Sequence, residues 1–422
     1  MDSILVRGGR RLQGEVVVSG SKNSALPVLI SSLLTAEPCF YQNIPDLKDV
    51  HTTLRLLTGL GVKIKRESHS GKPSQLSLRA DSITELKAPY DLVKTMRASF
   101  LVLGPLLSRF GQATVSTPGG CAIGTRPVNL HLKGLTQMGA SIELVHGYVQ
   151  ARAKRLYGTR IYLDLPSVGA TENLMMAATL AKGTTVIENA AKEPEVTELA
   201  SVLNKMGAKI DKPGSDTVTI EGVDVLGGVS HCLIADRIEA GTYLVAAALT
   251  DGEVVVRGAR SDHLDSFLMK LKETGVTVSD EGNAIKVKGS GRGKSVDIVT
   301  LPHPGFPTDL QAQMMALMAV ADGVSVITEN IFENRFMHAQ ELKRMGGNIR
   351  LEGKRAIVKG VESLSGATVM ATDLRASVSL ILAGLVAKGV TEILRVYHLD
   401  RGYEHIEQKL SGLGADIERL KH

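Results

Sequence analysis

TELASVLNKMGAKI, residues 197–210, is the stretch on which the fold turns. Its first ten residues make a helix with one apolar face. Gly207 interrupts the pattern, and an alternating run then leads to Ile210. Glycine at a helix end accepts the left-handed cap conformation, so the boundary reads helix, glycine, strand. The same short phrase returns along the chain as LGVKI at Gly61, MGASI at Gly139, TGVTV at Gly275, MGGNI at Gly346 and LGADI at Gly414. Counting Gly207, there are six copies, spaced by 78, 68, 68, 71 and 68 residues. A recurrence at that period marks a repeated supersecondary unit.

Working upstream from each glycine, a second helix precedes the first. These helices read KNSALPVLISSLL from Lys22, RASFLVLGPLL from Arg97, ENLMMAATLA from Glu172, EAGTYLVAAAL from Glu239, DLQAQMMALMAV from Asp309 and RASVSLILAGLV from Arg375. They are apolar nearly all round, which predicts burial, whereas the one-sided helices face solvent. Between the two lies a β-rich run such as TTVIENA (184–190) or VSVITEN (324–330), and a further strand follows the second helix. The expected unit is therefore strand–helix–strand–helix–strand, six times, an α/β fold with buried helices inside sheets. A chain of 422 residues is too long for one ordinary core, so three units in each of two domains is the natural division.

Composition narrows the function. Forty-nine Lys and Arg against 44 Asp and Glu leave a net charge of +5, spread evenly, which suits a small anionic substrate. Aromatics are 4% and Trp is absent, so nucleic-acid stacking is poorly supplied and no nucleic-acid partner is expected. No apolar run reaches the roughly 20 residues of a membrane span, and no signal-like stretch opens the sequence. Three widely separated cysteines, Cys39, Cys121 and Cys232, argue for a reducing cytoplasm and not for a disulfide framework. The eleven histidines show no metal-ligand spacing, so neither a metal nor an organic cofactor is expected.

Three of the buried helices are read as opening on a cation: Lys22, Arg97 and Arg375. Cations there oppose the helix dipole unless an anion sits beside them, when dipole and side chain act together. The loop TPGGCAIGTRPVN surrounds Cys121 with glycines and places Arg126 five residues on, a setting that exposes a thiol and favours thiolate. Cys39 and Cys232 lie in apolar, strand-like surroundings. GSGRGKS (289–295) only imitates a phosphate loop, since a strand follows it, and reads as a basic turn. Asp309 follows a Pro-rich turn at the start of a buried helix, where a carboxylate is either a cap or a stiffly held general base. Asp400 and Arg401 fall in a turn before the last amphipathic helix.

Nine segments in order, SGSKNSALP (19–27), YDLVKTMRAS (90–99), PGGCAIGTRPV (118–128), SVGAT (167–171), IENAAKEPE (187–195), FPTDLQAQ (306–313), ENRFMH (333–338), ATDLRAS (371–377) and HLDRGYE (398–404), resemble the enolpyruvyl transferases. Within that family they are similar to the branch that acts on UDP-N-acetylglucosamine at the entry to peptidoglycan synthesis. The resemblance covers essentially the whole chain. It implies an inside-out α/β barrel of two three-unit domains, 22–233 and 1–21 with 234–422, and an active site in the cleft between them. It also implies transfer of the enolpyruvyl group of phosphoenolpyruvate to the sugar 3′-hydroxyl by addition and elimination.

Residue by residue, the resemblance makes Cys121 the general acid, able to form an adduct with phosphoenolpyruvate and to be alkylated by fosfomycin. Asp309 becomes the base for the sugar hydroxyl. Lys22, Asn23, Arg126, Arg375 and Arg401 hold phosphate and carboxylate, with Lys22 and Arg401 also catalytic. Arg97, Arg126, Pro127, Val128, Asn129, Leu130, Ser167, Val168, Gly169, Asp309 and Ile331 contact the sugar nucleotide. Two positions depart from the family pattern, Asn129 in place of Asp and Leu165 in place of Lys. The sister activity on shikimate 3-phosphate and a non-catalytic nucleotide-sugar binder are the competing readings.

Overall fold

All six repeat glycines take left-handed backbone in the computed structural model, which describes residues 2–67, 75–118 and 128–421. Their φ values are 106° at Gly61, 96° at Gly139, 103° at Gly207, 102° at Gly275, 91° at Gly346 and 96° at Gly414. A side chain at such φ clashes with its own backbone, which is why glycine recurs at this one point. Each glycine follows a helix with one solvent face, such as Lys48–Leu60 or Pro194–Lys205, and leads into a strand, such as Lys63–Glu67 or Lys209–Asp211.

Among the described residues the strands form six four-stranded sheets with one common order. In the sheet of residues 160–221, Arg160–Tyr162 runs parallel to Thr184–Glu188, which pairs antiparallel with Thr217–Glu221, and Lys209–Asp211 lies outermost beside it. The unit thus carries one strand more than the five elements expected. The extra strand returns from the strand after the repeat glycine through a tight turn, here with Lys212 and Gly214 at positive φ. A three- to five-residue run beside a Pro–Gly turn is too short for alternation to announce it.

By contacts the chain groups into two units, 20–118 with 128–234, and 2–19 with 235–421. Each has three sheets and its own apolar core. In the 20–234 unit, Val229–Cys232 comes back to pair in parallel with Cys39–Gln42. In the other, Ser3–Arg7 is inserted between Val390–Leu394 and Asp416–Leu420, and Gln13–Val17 pairs with Glu253–Arg257.

The apolar helices are buried as their composition requires; every residue of Gln311–Met318 is buried, as are nine of the ten in Lys22–Ser31. Their starts differ from those expected. Lys22 does open an α-helix, capped by Ser21. Ser167 caps Val168–Ala178 and Asp236 caps Arg237–Leu249, so Glu172 and Glu239 lie inside their helices, because a capping side chain nearer the turn sets the start. Arg97 opens a 3-10 stretch, Arg97–Val102, ahead of Leu103–Phe110. Asp309 sits in the 3-10 turn Thr308–Leu310, and Arg375 precedes Val378–Val386 by three residues. The basic turn at 289–295 ties neighbouring loops together, since Arg292 donates to the carbonyls of Val320, Ala321 and Val361. Among the described residues no helix is long and apolar enough to cross a membrane.

Candidate active site

In the 20–234 unit, Lys22 is buried and its ammonium lies 3.4 Å from Asp49 Oδ2, a carboxylate that is itself only 5% exposed. The anion expected beside this helix N-terminus is thus supplied in part by the chain. Asn23 is half-buried at the next position. Arg97, half-buried, acts electrostatically on His131. That imidazole is pushed down to about 3 by burial first and by the Arg97 charge second. It is therefore neutral, and its tautomer is set by a chain of hydrogen bonds. Asn173 Oδ1 accepts from the Gly104 N–H at 2.7 Å, so Asn173 Nδ2 donates to His131 Nδ1 at 2.9 Å and the ring proton resides on Nε2. The ring lies against Gly169, where a methyl group would stand 3.4 Å from Cε1.

Ser167, Val168 and Gly169 form the first turn of their helix, with Ser167 Oγ accepting from Ala170 N at 3.4 Å. Val128 is half-buried, Asn129 exposed and Leu130 buried at the head of Asn129–Gln137. Leu165 is 57% exposed. Cys121, Arg126 and Pro127 lie outside the described residues. Cys39 is buried in its strand; Cys232 is exposed, not in the apolar surroundings its sequence neighbours suggest.

In the 235–421 unit, Asp309 is not a simple cap. Its Oδ1 accepts from Arg335 Nη2 at 2.6 Å, and Arg335 is buried, also facing Asp373 at 3.8 Å and donating to Thr308 Oγ1 at 3.1 Å. Burial alone would lower Arg335, but Asp309 and Asp373 outweigh it and hold the guanidinium above its ordinary value. Burial pushes Asp373 up, yet the Arg335 charge and the N–H groups of Ala376 and Arg375 leave it below the usual carboxylate range. Arg335 was missed by reasoning from sequence, although its segment, ENRFMH, was among those that carried the resemblance. A second missed group is Glu329, buried at 2% exposure, which accepts from Thr308 Oγ1 and from the N–H of Ile331.

Arg375 is buried, with both Nη atoms bonded within the chain and Nε left without a partner among the described residues. Nη2 bonds Asp236 Oδ2 at 2.5 Å and Nη1 donates to the Gly402 carbonyl at 2.5 Å. Arg401 is half-buried at the end of the 3-10 helix Val396–Arg401, beside Asp400, which pairs with Arg419 at 2.7 Å. The structure thus brings Asp309 together with Arg335, Thr308, Glu329 and Ile331, and seats Lys22 and Arg375 against carboxylates within their own units.

Carboxylates, guanidinium groups and helix ends are thus set on two groups of three like-ordered sheets. The chain belongs to the EPSP synthase family, the enolpyruvyl transferases: the family profile, EPSP synthase (3-phosphoshikimate 1-carboxyvinyltransferase), matches residues 6–410. A relative from Geotalea daltonii is 58% identical over 421 residues, covering 100% of both chains, and one from Myxococcus xanthus is 56% identical with the same coverage. Both are named UDP-N-acetylglucosamine 1-carboxyvinyltransferase. Among solved structures, the enolpyruvyl transferase NikO from Streptomyces tendae superposes with a TM-score of 0.89 at 26% identity, over 100% of this chain and 99% of that one. The EPSP synthase of Acinetobacter baumannii, at 20% identity and a TM-score of 0.78 over 100% of both chains, shares the α/β fold.

Proposed function

We propose that this chain transfers the enolpyruvyl group of phosphoenolpyruvate to the 3′-hydroxyl of UDP-N-acetylglucosamine, releasing phosphate, as the first committed step of peptidoglycan synthesis in the cytoplasm. The full-length identity of 58% to a relative of that name carries the reading, against 20% to an EPSP synthase structure. The six sheets of common order, three in each unit, support an inside-out α/β barrel of six repeated units. The grouping of 20–234 apart from 2–19 with 235–421 supports domain limits at 22–233 and at 1–21 with 234–422 to within about two residues.

In the addition step Cys121 gives a proton to the methylene carbon of phosphoenolpyruvate. The sugar 3′-oxygen bonds to C2, and the hydroxyl proton passes to Asp309. Elimination returns a proton from that carbon, breaks the bond from C2 to the phosphate oxygen and regenerates the double bond. The Asp309 turn suits this role, because the ion pair to Arg335 fixes the direction of the carboxylate. Lys22, Asn23, Arg126, Arg375 and Arg401 meet the phosphate and carboxylate charges, and a buried cation such as Lys22 does so at little cost in reorganisation. The nucleotide is assigned to Arg97, residues 126–130, Ser167, Val168 and Gly169, with Ile331 beside the sugar. Cys121 also forms the pyruvate adduct and takes fosfomycin.

Phosphate release measured with phosphoenolpyruvate and each acceptor tests the reading. Turnover is expected with UDP-N-acetylglucosamine and none with shikimate 3-phosphate; the opposite preference refutes it. Asp309→Asn caps a helix about as well as Asp but cannot act as a base, so kcat should fall by roughly 10²–10⁴-fold.

A further inference from the structure

Glu329 follows the strand Val324–Thr328, at a point where four of the other five sheets keep a rule, Thr117 after Gln112–Ser116 being the exception. After the corresponding strand, four sheets place a residue in left-handed backbone: Asn43 (φ 57°), Asn189 (54°), Gly258 (83°) and Arg395 (57°). The two asparagines also make the same bond. Asn43 Nδ2 donates to the Leu233 carbonyl at 2.9 Å and Asn189 Nδ2 to the Leu163 carbonyl at 2.8 Å, each just past the neighbouring parallel strand. This neutral side chain finishes the sheet.

Glu329 does not take the left-handed conformation, and it keeps the tie with reversed polarity. Thr300, just past the parallel strand Ile298–Val299, donates its hydroxyl to Glu329 Oε1 at 2.8 Å. The same oxygen accepts from the N–H groups of Ile331 at 2.8 Å and Phe332 at 3.2 Å, and Oε2 accepts from Thr308 Oγ1 at 2.9 Å. Burying a carboxylate costs several kcal/mol more than burying an amide, and the fold twice uses the amide at this position. The extra cost is unexplained by the sheet alone.

We infer that Glu329 is a positioning residue for the transfer reaction, acting through Thr308 on Asp309 and through the following turn on Ile331. The inference rests on the proposed reading, in which Asp309 is the base and Ile331 lies beside the sugar. The line of bonds has a fixed polarity. The single hydroxyl proton of Thr308 goes to Glu329, which leaves its lone pairs for Arg335 Nη1, and Arg335 Nη2 grips Asp309 Oδ1. An amide nitrogen in place of Glu329 Oε2 would confront the hydroxyl with two donors, turn its proton away and loosen the hold on the guanidinium that aims Asp309.

The test compares Glu329→Gln, Thr308→Val, their combination and Asp309→Asn in the full chain, by phosphate release with both substrates and by thermal melts. Glu329→Gln should lower kcat by about 10–100-fold, the cost of a small misplacement of a reacting group, while KM for phosphoenolpyruvate stays within about twofold. Thr308→Val should match it, the double variant should be no slower than the slower single one, and Thr308→Ser should restore most of the rate lost in Thr308→Val. A Glu329→Gln enzyme within about threefold of the parent kcat, or a double variant whose loss is the product of the singles, overturns the inference. If Asp309→Asn is slow and Glu329→Gln is not, the positioning role alone falls. An Asp309→Asn enzyme as fast as the parent removes the base and the positioning role together.

Discussion

Replacing Asp236 by Asn leaves a helix cap intact and strips the counter-charge from a buried guanidinium. Asp236 is 3% exposed and does two things at once. Its Oδ1 accepts from the N–H groups of Ile238 at 2.9 Å and Glu239 at 3.0 Å, while Oδ2 takes Arg375 Nη2 at 2.5 Å. Arg375 is 1% exposed, and burial would lower it were the Asp236 charge not there to hold it well above its ordinary value. Asn at 236 keeps the cap oxygen but turns an amide N–H₂ towards the guanidinium. Breaking a buried pair on one side costs ~3–5 kcal/mol. At about 2–4 °C per kcal/mol for a domain of this size, the transition of the 235–421 unit should fall by roughly 6–20 °C. Asp236→Ala should lose a further ~1 kcal/mol with the cap. Adding Arg375→Met to Asp236→Asn should recover most of the loss, since an apolar replacement for a buried pair is often neutral. Calorimetry on the full chain, with the parent as reference, reads all three. A melt of Asp236→Asn within about 2 °C of the parent would refute the assignment of this pair as a buried, charge-balanced contact.

The remaining predictions concern titrating groups. Burial raises the Cys39 thiol, and partial desolvation followed by the Glu198 charge raises that of Cys232, exposed though its surface is, so fosfomycin should add one equivalent, at Cys121; peptide mass spectrometry placing it on either other cysteine would contradict this. Glu172 is raised well above 4.5, by burial and then by Glu195 and Glu193, so the folded chain keeps a proton that the unfolded chain releases and stability falls as pH rises above about 4.5. Glu172→Gln should therefore melt higher than the parent at neutral pH, with the gain shrinking towards pH 4.5; a gain independent of pH would sink the argument. His131 is pushed down to about 3 and His338 to about 4, so the unfolded imidazoles protonate first and stability is lost as pH falls below 6.5. His131→Gln should flatten the fall of melting temperature from pH 6.5 towards pH 3, and an unchanged slope would show that His131 is not held neutral.

Much of the fold was legible because one conformational need has one chemical answer. Left-handed backbone after each amphipathic helix asks for glycine, and six glycines at a near-constant period were visible without any contact being known. The apolar helices were equally plain, since a surface with no polar side must be buried. Their starts were less so, because Ser167 and Asp236 cap earlier than the charged residues that drew notice. The fourth strand escaped where runs such as Thr217–Glu221 are short and lie across a tight turn from their partners, and in the sheet of Ser3–Arg7 because its partners are roughly 400 residues away.

At the site, Asp309 and Lys22 could be named from their segments, but their partners could not. Asp236 and Arg375 are 139 residues apart, and nothing local to either hints at the other. Lys22 and Arg375, read as cations at helix starts awaiting an anion, are met by Asp49 and Asp236 from within the chain, and Arg375 lies ahead of its helix. Glu329 carried a weak signal of its own. Aligned on their preceding glycines, TTVIEN ends on asparagine and VSVITE on glutamate, and that change decides which way a proton points.

The pairing of Ser3–Arg7 and Gln13–Val17 with strands from residues 253–420 has a consequence for synthesis on the ribosome. Residues 20–234 contain every strand of their own three sheets, Val229–Cys232 being the last to emerge, and can close while translation continues. The first two strands made cannot. At about 5–20 residues per second, the roughly 190 residues beyond Ile234 occupy the ribosome for on the order of ten to forty seconds more. For most of that time Ser3–Arg7 is without its partners, Val390–Leu394 and Asp416–Leu420, and ILV at residues 4–6 stays open to whatever holdase or neighbouring nascent chain is at hand, whereas VVV at residues 16–18 waits only for Glu253–Arg257.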